Sequence, residues 1–255
     1  MITAHDDLLL IPFGTARFHP DRFELVGFSP DGLRLWSASP CVLINRALRA
    51  PLRLNSAPLP VAGSSPREVA SDVDGEFRLL QNHLERLCGE WTKPPRRFLQ
   101  RYFEEVRTAI EQQREILEKR AAPFAGLYNA EHWAFSALLP LPRAHLHLPD
   151  PRVRTSFAPA DIVRADFAFW TGTALVAVVQ GGRRTPTPAE RRTRERLSAW
   201  GIELRPYDPD HFAGIADGGL LTFLGPAFMD FWQSEALPSG PQKGTSLGRP
   251  VADVP

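Results

Sequence analysis

Three groups of side chains in this chain have types and spacing suited to chemistry. The first centres on Asp166, in Arg164-Ala165-Asp166-Phe167-Ala168-Phe169, followed by the apolar run Ala174 to Val179 and then Gln180-Gly181-Gly182. A carboxylate there can hold a cation or pair with an arginine such as Arg164, and Gln180 offers a neutral carbonyl that exchanges no proton at neutral pH. The second group is basic. Arg183, Arg184, Arg191, Arg192, Arg194 and Arg196 fall within fourteen residues, against only Glu190 and Glu195. Arginine forks match phosphate oxygens, and the same pattern also suits a solvated helix face. The third is His145 with His147, which alternation places on one side of a strand. Such a pair can bind a metal, but no nearby cysteine or carboxylate completes a tetrahedral set.

The elements that must position these residues follow from periodicity. Ile162 to Trp170 and Ala174 to Gln180 are predicted strands joined by the turn Thr171-Gly172-Thr173. Thr187-Pro188-Ala189-Glu190 has the chemistry of a helix start, with an N-cap hydroxyl, a proline at the first position and a glutamate to complete a capping box. That helix is expected to end at Gly201 and to lead into a strand from Ile202 to Arg205, which makes a βαβ unit with parallel pairing. Upstream, a helix beginning near Asn129 and carrying Glu131 is expected to stop before Pro140. Arg143 to Leu148 alternates as a half-buried strand does.

The first half of the chain is expected to hold two other units. Residues 1–65 form a β-rich segment, with Phe23 to Phe28 and Leu33 to Trp36 flanking the hairpin turn Ser29-Pro30-Asp31-Gly32. Residues 66–122 form a long antiparallel helical hairpin. Its stripes are Val73, Phe77, Leu80, Leu84, Leu87 and Trp91, then Leu99, Phe103, Val106, Ile110, Gln113 and Leu117. Thr92-Lys93-Pro94-Pro95 is expected to break the chain between them. Glu104, Glu105, Glu111, Glu115 and Glu118, mixed with Arg107, Arg114, Lys119 and Arg120, suggest a solvated face with intrahelical ion pairs. Residues 123–237 form the core that carries the candidate site, and 238–255 a disordered tail.

Composition bounds the function. The formal net charge of +1 excludes a protein that coats nucleic acid by bulk charge. Lys93, Lys119 and Lys243 are the only lysines. Cys41 and Cys88 lack the spacing of a zinc or redox pair, and are expected to be buried thiols in a reducing compartment. There is no signal-like N-terminus and no apolar run of membrane-spanning length, so a cytoplasmic protein is expected.

In sequence order there is a helix with Glu131, a strand with Arg-Ala-Asp-Phe, a strand ending in Gln-Gly-Gly, an arginine-rich helix, and Gly-Ile-Glu-Leu-Arg. This order resembles the PD-(D/E)XK, or restriction-endonuclease-like, superfamily. Its nearest flavour is that of the very-short-patch-repair endonucleases and related bacterial families. The likeness runs from roughly Asn129 to Asp210, about a third of the chain. It implies an α/β (α+β) core in which a mixed sheet is flanked by helices. It also implies a phosphodiesterase site in which Asp166 and Glu131 bind Mg2+ and Gln180 polarises the site. Where the family carries an acid, any residue and a lysine, this chain has Val178-Val179-Gln180. Arg183 and Arg184 cannot replace the lysine as a base.

Three functions are therefore open. The resemblance with its substituted motif favours a nuclease fold that binds nucleic acid, DNA in preference to RNA, through the arginines. An active Mg2+-dependent endonuclease is the second. The third is a scaffold subunit that docks a protein partner through the helical hairpin or the N-terminal sheet.

Overall fold

The computed structural model describes residues 8–14, 23–29, 32–37, 41–56, 72–89, 93–148, 162–181, 187–208 and 219–233. Its helices surround a mixed four-stranded sheet, an α+β architecture. The sheet consists of β5 (Leu141–His147), β6 (Ile162–Trp170), β7 (Leu175–Gln180) and β8 (Glu203–Tyr207), side by side in chain order. β6 runs antiparallel to both neighbours, and β7 and β8 are parallel. Joining two parallel strands needs a crossover, which α4 (Pro188–Ala199) supplies. Thr187 and Glu190 form the capping box at its start, and Gly201 at φ +66° follows its end.

Two smaller pairings precede the helices. β1 (Leu8–Pro12) pairs antiparallel with β4 (Cys41–Asn45), and β2 (Phe23–Ser29) with β3 (Gly32–Ser37). The expected hairpin is thus present, although Pro30 and Asp31 lie outside the described residues. So do the proline- and serine-rich connector, Trp91, Thr92 and the tail.

α1 (Val73–Leu87) starts at Asp72, whose carboxylate accepts from the Gly75 N–H at 2.6 Å. It packs antiparallel to α2 (Lys93–Gln112). Phe77 meets Phe103 edge-on at 5.0 Å, Arg107 lies over the Phe77 ring, and Glu85 meets Gln100 near the other end. Three expectations are corrected here. Pro94 and Pro95 sit in the first turn of α2 rather than in a break, because the first-turn N–H groups need no helical acceptor. The second helix ends at Gln112, and Gln113 (φ −103°, ψ 6°) separates it from α3 (Arg114–Ala121). The segment Ala130–Ser136 is a 3-10 helix, not an α-helix.

α2 lies against the sheet. Phe98 stacks on Phe167 at 4.7 Å and approaches Tyr207 at 5.1 Å, while Tyr102 meets Phe169 at 5.6 Å. The Tyr102 hydroxyl donates to the Leu138 carbonyl at 2.7 Å. The apolar seam of α1 and α2 is thus filled by their own chain. The mixed-charge surface holds one exception. Arg101–Glu105, Arg114–Glu118 and Lys119–Glu115 are intrahelical pairs as expected, but the Glu105 side chain is only 1% exposed. Glu105 accepts from the Leu220 and Leu221 N–H groups at 3.1 and 2.9 Å, at the start of α5 (Gly219–Leu224). α6 (Pro226–Met229) follows, and its Phe228 reaches Phe169 at 5.0 Å.

The segment before the helices is tied to the sheet by its backbone. Leu52 N–H donates to the Trp170 carbonyl, Leu54 N–H to Ala137, and Leu139 N–H to Leu52. The Trp170 indole N–H donates to the Ala50 carbonyl at 2.9 Å. β5, expected to be half-buried, is covered along nearly all its length. No described helix is long and apolar enough to cross a membrane.

Candidate nucleic-acid interface

Asp166 lies where the β6–β7 ladder stops. The last pair is Phe167 with Val178, whereas β7 and β8 remain paired out to Gln180 and Tyr207. Beyond Phe167 the Asp166 carboxylate takes the place of a backbone acceptor. Gln180 N–H donates to Asp166 Oδ2 at 2.6 Å. Gln180 therefore reaches Asp166 through its main chain, with its own residue exposed. Val178 is fully buried in the core.

On the other side, the β5–β6 ladder skips Arg143 and resumes at Ala144 with Ala165, so Arg143 stands across from Asp166. Arg143 has φ +51°, in the left-handed region that costs a side-chain-bearing residue about 1 kcal/mol or more. Its guanidinium packs against Gly89, just after the end of α1, where a Cβ would lie 2.5 Å from Nη1. Gly89 has φ +86°, a conformation that favours glycine, and a side chain there would displace the Arg143 guanidinium.

Burial pushes the Asp166 carboxyl up, against the Gln180 N–H, Arg164 and Arg143, which pull it down. Burial likewise pushes the Cys88 thiol up to about 12, with charges on Glu85, Arg96, Arg143 and Asp166 also acting on it. Cys88 is thus a protonated, inert thiol at neutral pH. Cys41, half-buried, is raised for the same reason.

The raised Asp166 value has a testable sign. A native state that holds the proton more tightly than the unfolded chain loses relative stability as pH rises through the window between the two values. The unfolding free energy of the wild type minus that of Asp166→Asn should therefore fall as pH is raised from about 4 through the native value. Urea melts at stepped pH measure this, and a pH-independent difference would show that burial does not govern Asp166.

Glu131 is engaged elsewhere. It sits in the first turn of the 3-10 helix, and Arg114 Nη2 donates to its Oε1 at 2.8 Å. Among the described residues, Glu131 and Asp166 share no hydrogen-bond or ion-pair partner. Among the described residues, no group of three or more His, Cys, Asp or Glu side chains could hold a metal ion. Asp166, with a backbone donor on one oxygen, two arginines in its field and a buried valine on the next strand, does not fit a divalent cation. His145 is buried within β5.

Comparison with protein families, curated proteins and solved structures finds no match.

On α4, Arg191 and Arg192 are exposed and Arg194 is half-buried. None of the three has a carboxylate partner among the described residues. Glu190, the first acid of the helix, forms half of the capping box, with Oε2 accepting from the Thr187 N–H at 2.7 Å. Arg196 belongs to the fold instead, because it donates to the Leu148 carbonyl beyond β5. Arg183 and Arg184 lie outside the described residues. Nothing in the local sequence marks the left-handed backbone conformation of Arg143.

Proposed function

We propose that the chain is a restriction-endonuclease-like protein that binds nucleic acid through the arginines of α4 and does not cleave it. The sheet order β5-β6-β7-β8, the antiparallel β6 and the β7–α4–β8 crossover support the family reading. One observation carries the binding reading. Arg191, Arg192 and Arg194 share one helix and lack acidic partners among the described residues, while that helix's first acid is held in its cap. Such guanidinium groups gain most from phosphate oxygens, which accept in the same forked geometry. Cleavage is disfavoured by the chemistry beside Asp166, where among the described residues no cluster of acids and histidines could hold a metal ion.

The test mixes purified protein with labelled single- and double-stranded DNA and RNA, in magnesium, in manganese and in chelator. The expected result is salt-sensitive binding with intact substrate under every condition. Joint replacement of Arg183, Arg184, Arg191, Arg192 and Arg194 by alanine should weaken binding by at least about tenfold. Metal-dependent cutting abolished by Asp166→Ala would instead establish an endonuclease. Neither binding nor cutting, with co-purification of another protein, would favour a scaffold.

A further inference from the structure

We infer that Arg143 and Arg164, supported by Arg96, form a seat for one phosphodiester group beside Asp166, independent of metal. This rests on the reading above that the ligand is a nucleic acid, and it names where on the core one phosphate is held.

Three observations converge on this place. Arg143 adopts a left-handed backbone conformation within an otherwise regular strand pairing. Non-glycine residues kept in that region are maintained by the surrounding structure, and they cluster at ligand sites. Gly89 leaves room for the Arg143 guanidinium, and a methyl group there would collide with it. The donors of Arg143 have no hydrogen-bond acceptor among the described residues, although the residue is half-buried. A half-buried guanidinium without acceptors favours an anionic ligand, since its donors are otherwise left to a confined solvent.

The neighbours reinforce the charge. Arg164 is exposed two residues before Asp166 on β6, and Arg143 and Arg164 both act on that carboxylate. Arg96, in the first turn of α2, donates to the Glu85 carbonyl at 3.4 Å and shares the field around Cys88 with Arg143. Two cations, from β5 and β6, thus act on one carboxylate whose near oxygen already has a backbone donor, and a third, from α2, shares a neighbour with Arg143. The positive charge that a divalent ion would supply to a phosphate is here supplied by side chains. A guanidinium binds and orients a phosphodiester but cannot activate water as a base, so the seat retains the strand without breaking it.

The experiment measures fluorescence anisotropy of fluorescein-labelled single-stranded and duplex oligonucleotides in EDTA across a salt series. Arg143→Gly removes the guanidinium while allowing φ +51° without strain, so its fold should hold, as circular dichroism checks. Arg143→Gly and Arg164→Ala should each weaken binding by about tenfold and make the slope of log Kd against log salt shallower by about one. Arg143→Lys should recover the slope but only part of the affinity, because it restores the charge without the fork. Arg78→Ala, an exposed α1 arginine paired with Asp74, controls for general charge and should change little. If the wild type binds and both variants bind equally well, the seat is overturned while nucleic-acid binding stands. If the wild type fails to bind every oligonucleotide, the broader reading fails and the seat with it.

Discussion

Phe169→Ala should lower the unfolding free energy by about 4 kcal/mol. Phe169 is wholly buried on β6, with its ring against Tyr102 of α2 and against Phe228 of α6. Truncation removes the transfer contribution of a benzyl group and leaves a cavity bordered by three elements. The collapse that would soften the loss is restricted, because Tyr102 is held by its bond to the Leu138 carbonyl. Urea denaturation should show a lower midpoint with an unchanged m value. Phe169→Leu, which fills more of the space, should lose less than half as much. A loss for Phe169→Ala below about 1.5 kcal/mol would mean that the sheet and α2 can close over the gap.

Glu105→Ala is the second large effect, about 3 kcal/mol. The buried carboxylate accepts from Arg101 Nε at 2.9 Å and from two backbone N–H groups at the start of α5. Its removal leaves a guanidinium and two amide donors without their acceptor, in a place water reaches poorly. The dipole of the short helix adds little beyond these direct bonds, since it grows with the number of aligned peptide units. Glu105→Gln keeps an acceptor oxygen and the shape, so it should lose roughly half as much. Hydrogen exchange gives a second readout, with Leu220 and Leu221 amides losing protection before those of β6. Equal protection in wild type and Glu105→Ala would show that α5 is held by packing alone.

Much of the architecture is legible where local signals act alone. The capping box at Thr187 and Glu190, the glycine stop at Gly201 and the apolar stripes of α1 and α2 are short-range features, and each lies where its chemistry requires. The segment after Asn129 is harder, because Ala130, Trp133, Ala134, Phe135 and Ser136 are all buried. A segment covered on every side has no single stripe, so its sequence does not distinguish an α-helix from the tighter 3-10 form. Glu105 is equally opaque. Among neighbouring acids and arginines on α2 it looks solvated, and only the return of the chain at Leu220 covers it.

The candidate site divides in the same way. Asp166 and the α4 arginines are visible as residue types in a row, and their setting on β6 and α4 follows from periodicity. The environment of Asp166 is not visible, because Arg143, Arg96 and Gly89 come from three separate elements. The left-handed turn at Arg143 is also carried by a residue that disfavours it. Sequence order along the chain likewise does not reveal that Arg114 takes up Glu131.

The short stretch from Ala50 to Leu54 has a consequence for how the molecule comes into being. Its carbonyls and amides are completed by Ala137, Leu139 and Trp170, and Gly172 fits closely against the Arg49 carbonyl. On a ribosome adding roughly 5–20 residues each second, this stretch emerges many seconds before any of those partners exists. β1 and β4 can pair early, but the strand edge they lead to cannot form until the β6–β7 turn has left the exit tunnel. The fold therefore closes late, and the stretch from Ala50 to Leu54 must wait for partners that lie at the middle of the chain and beyond it.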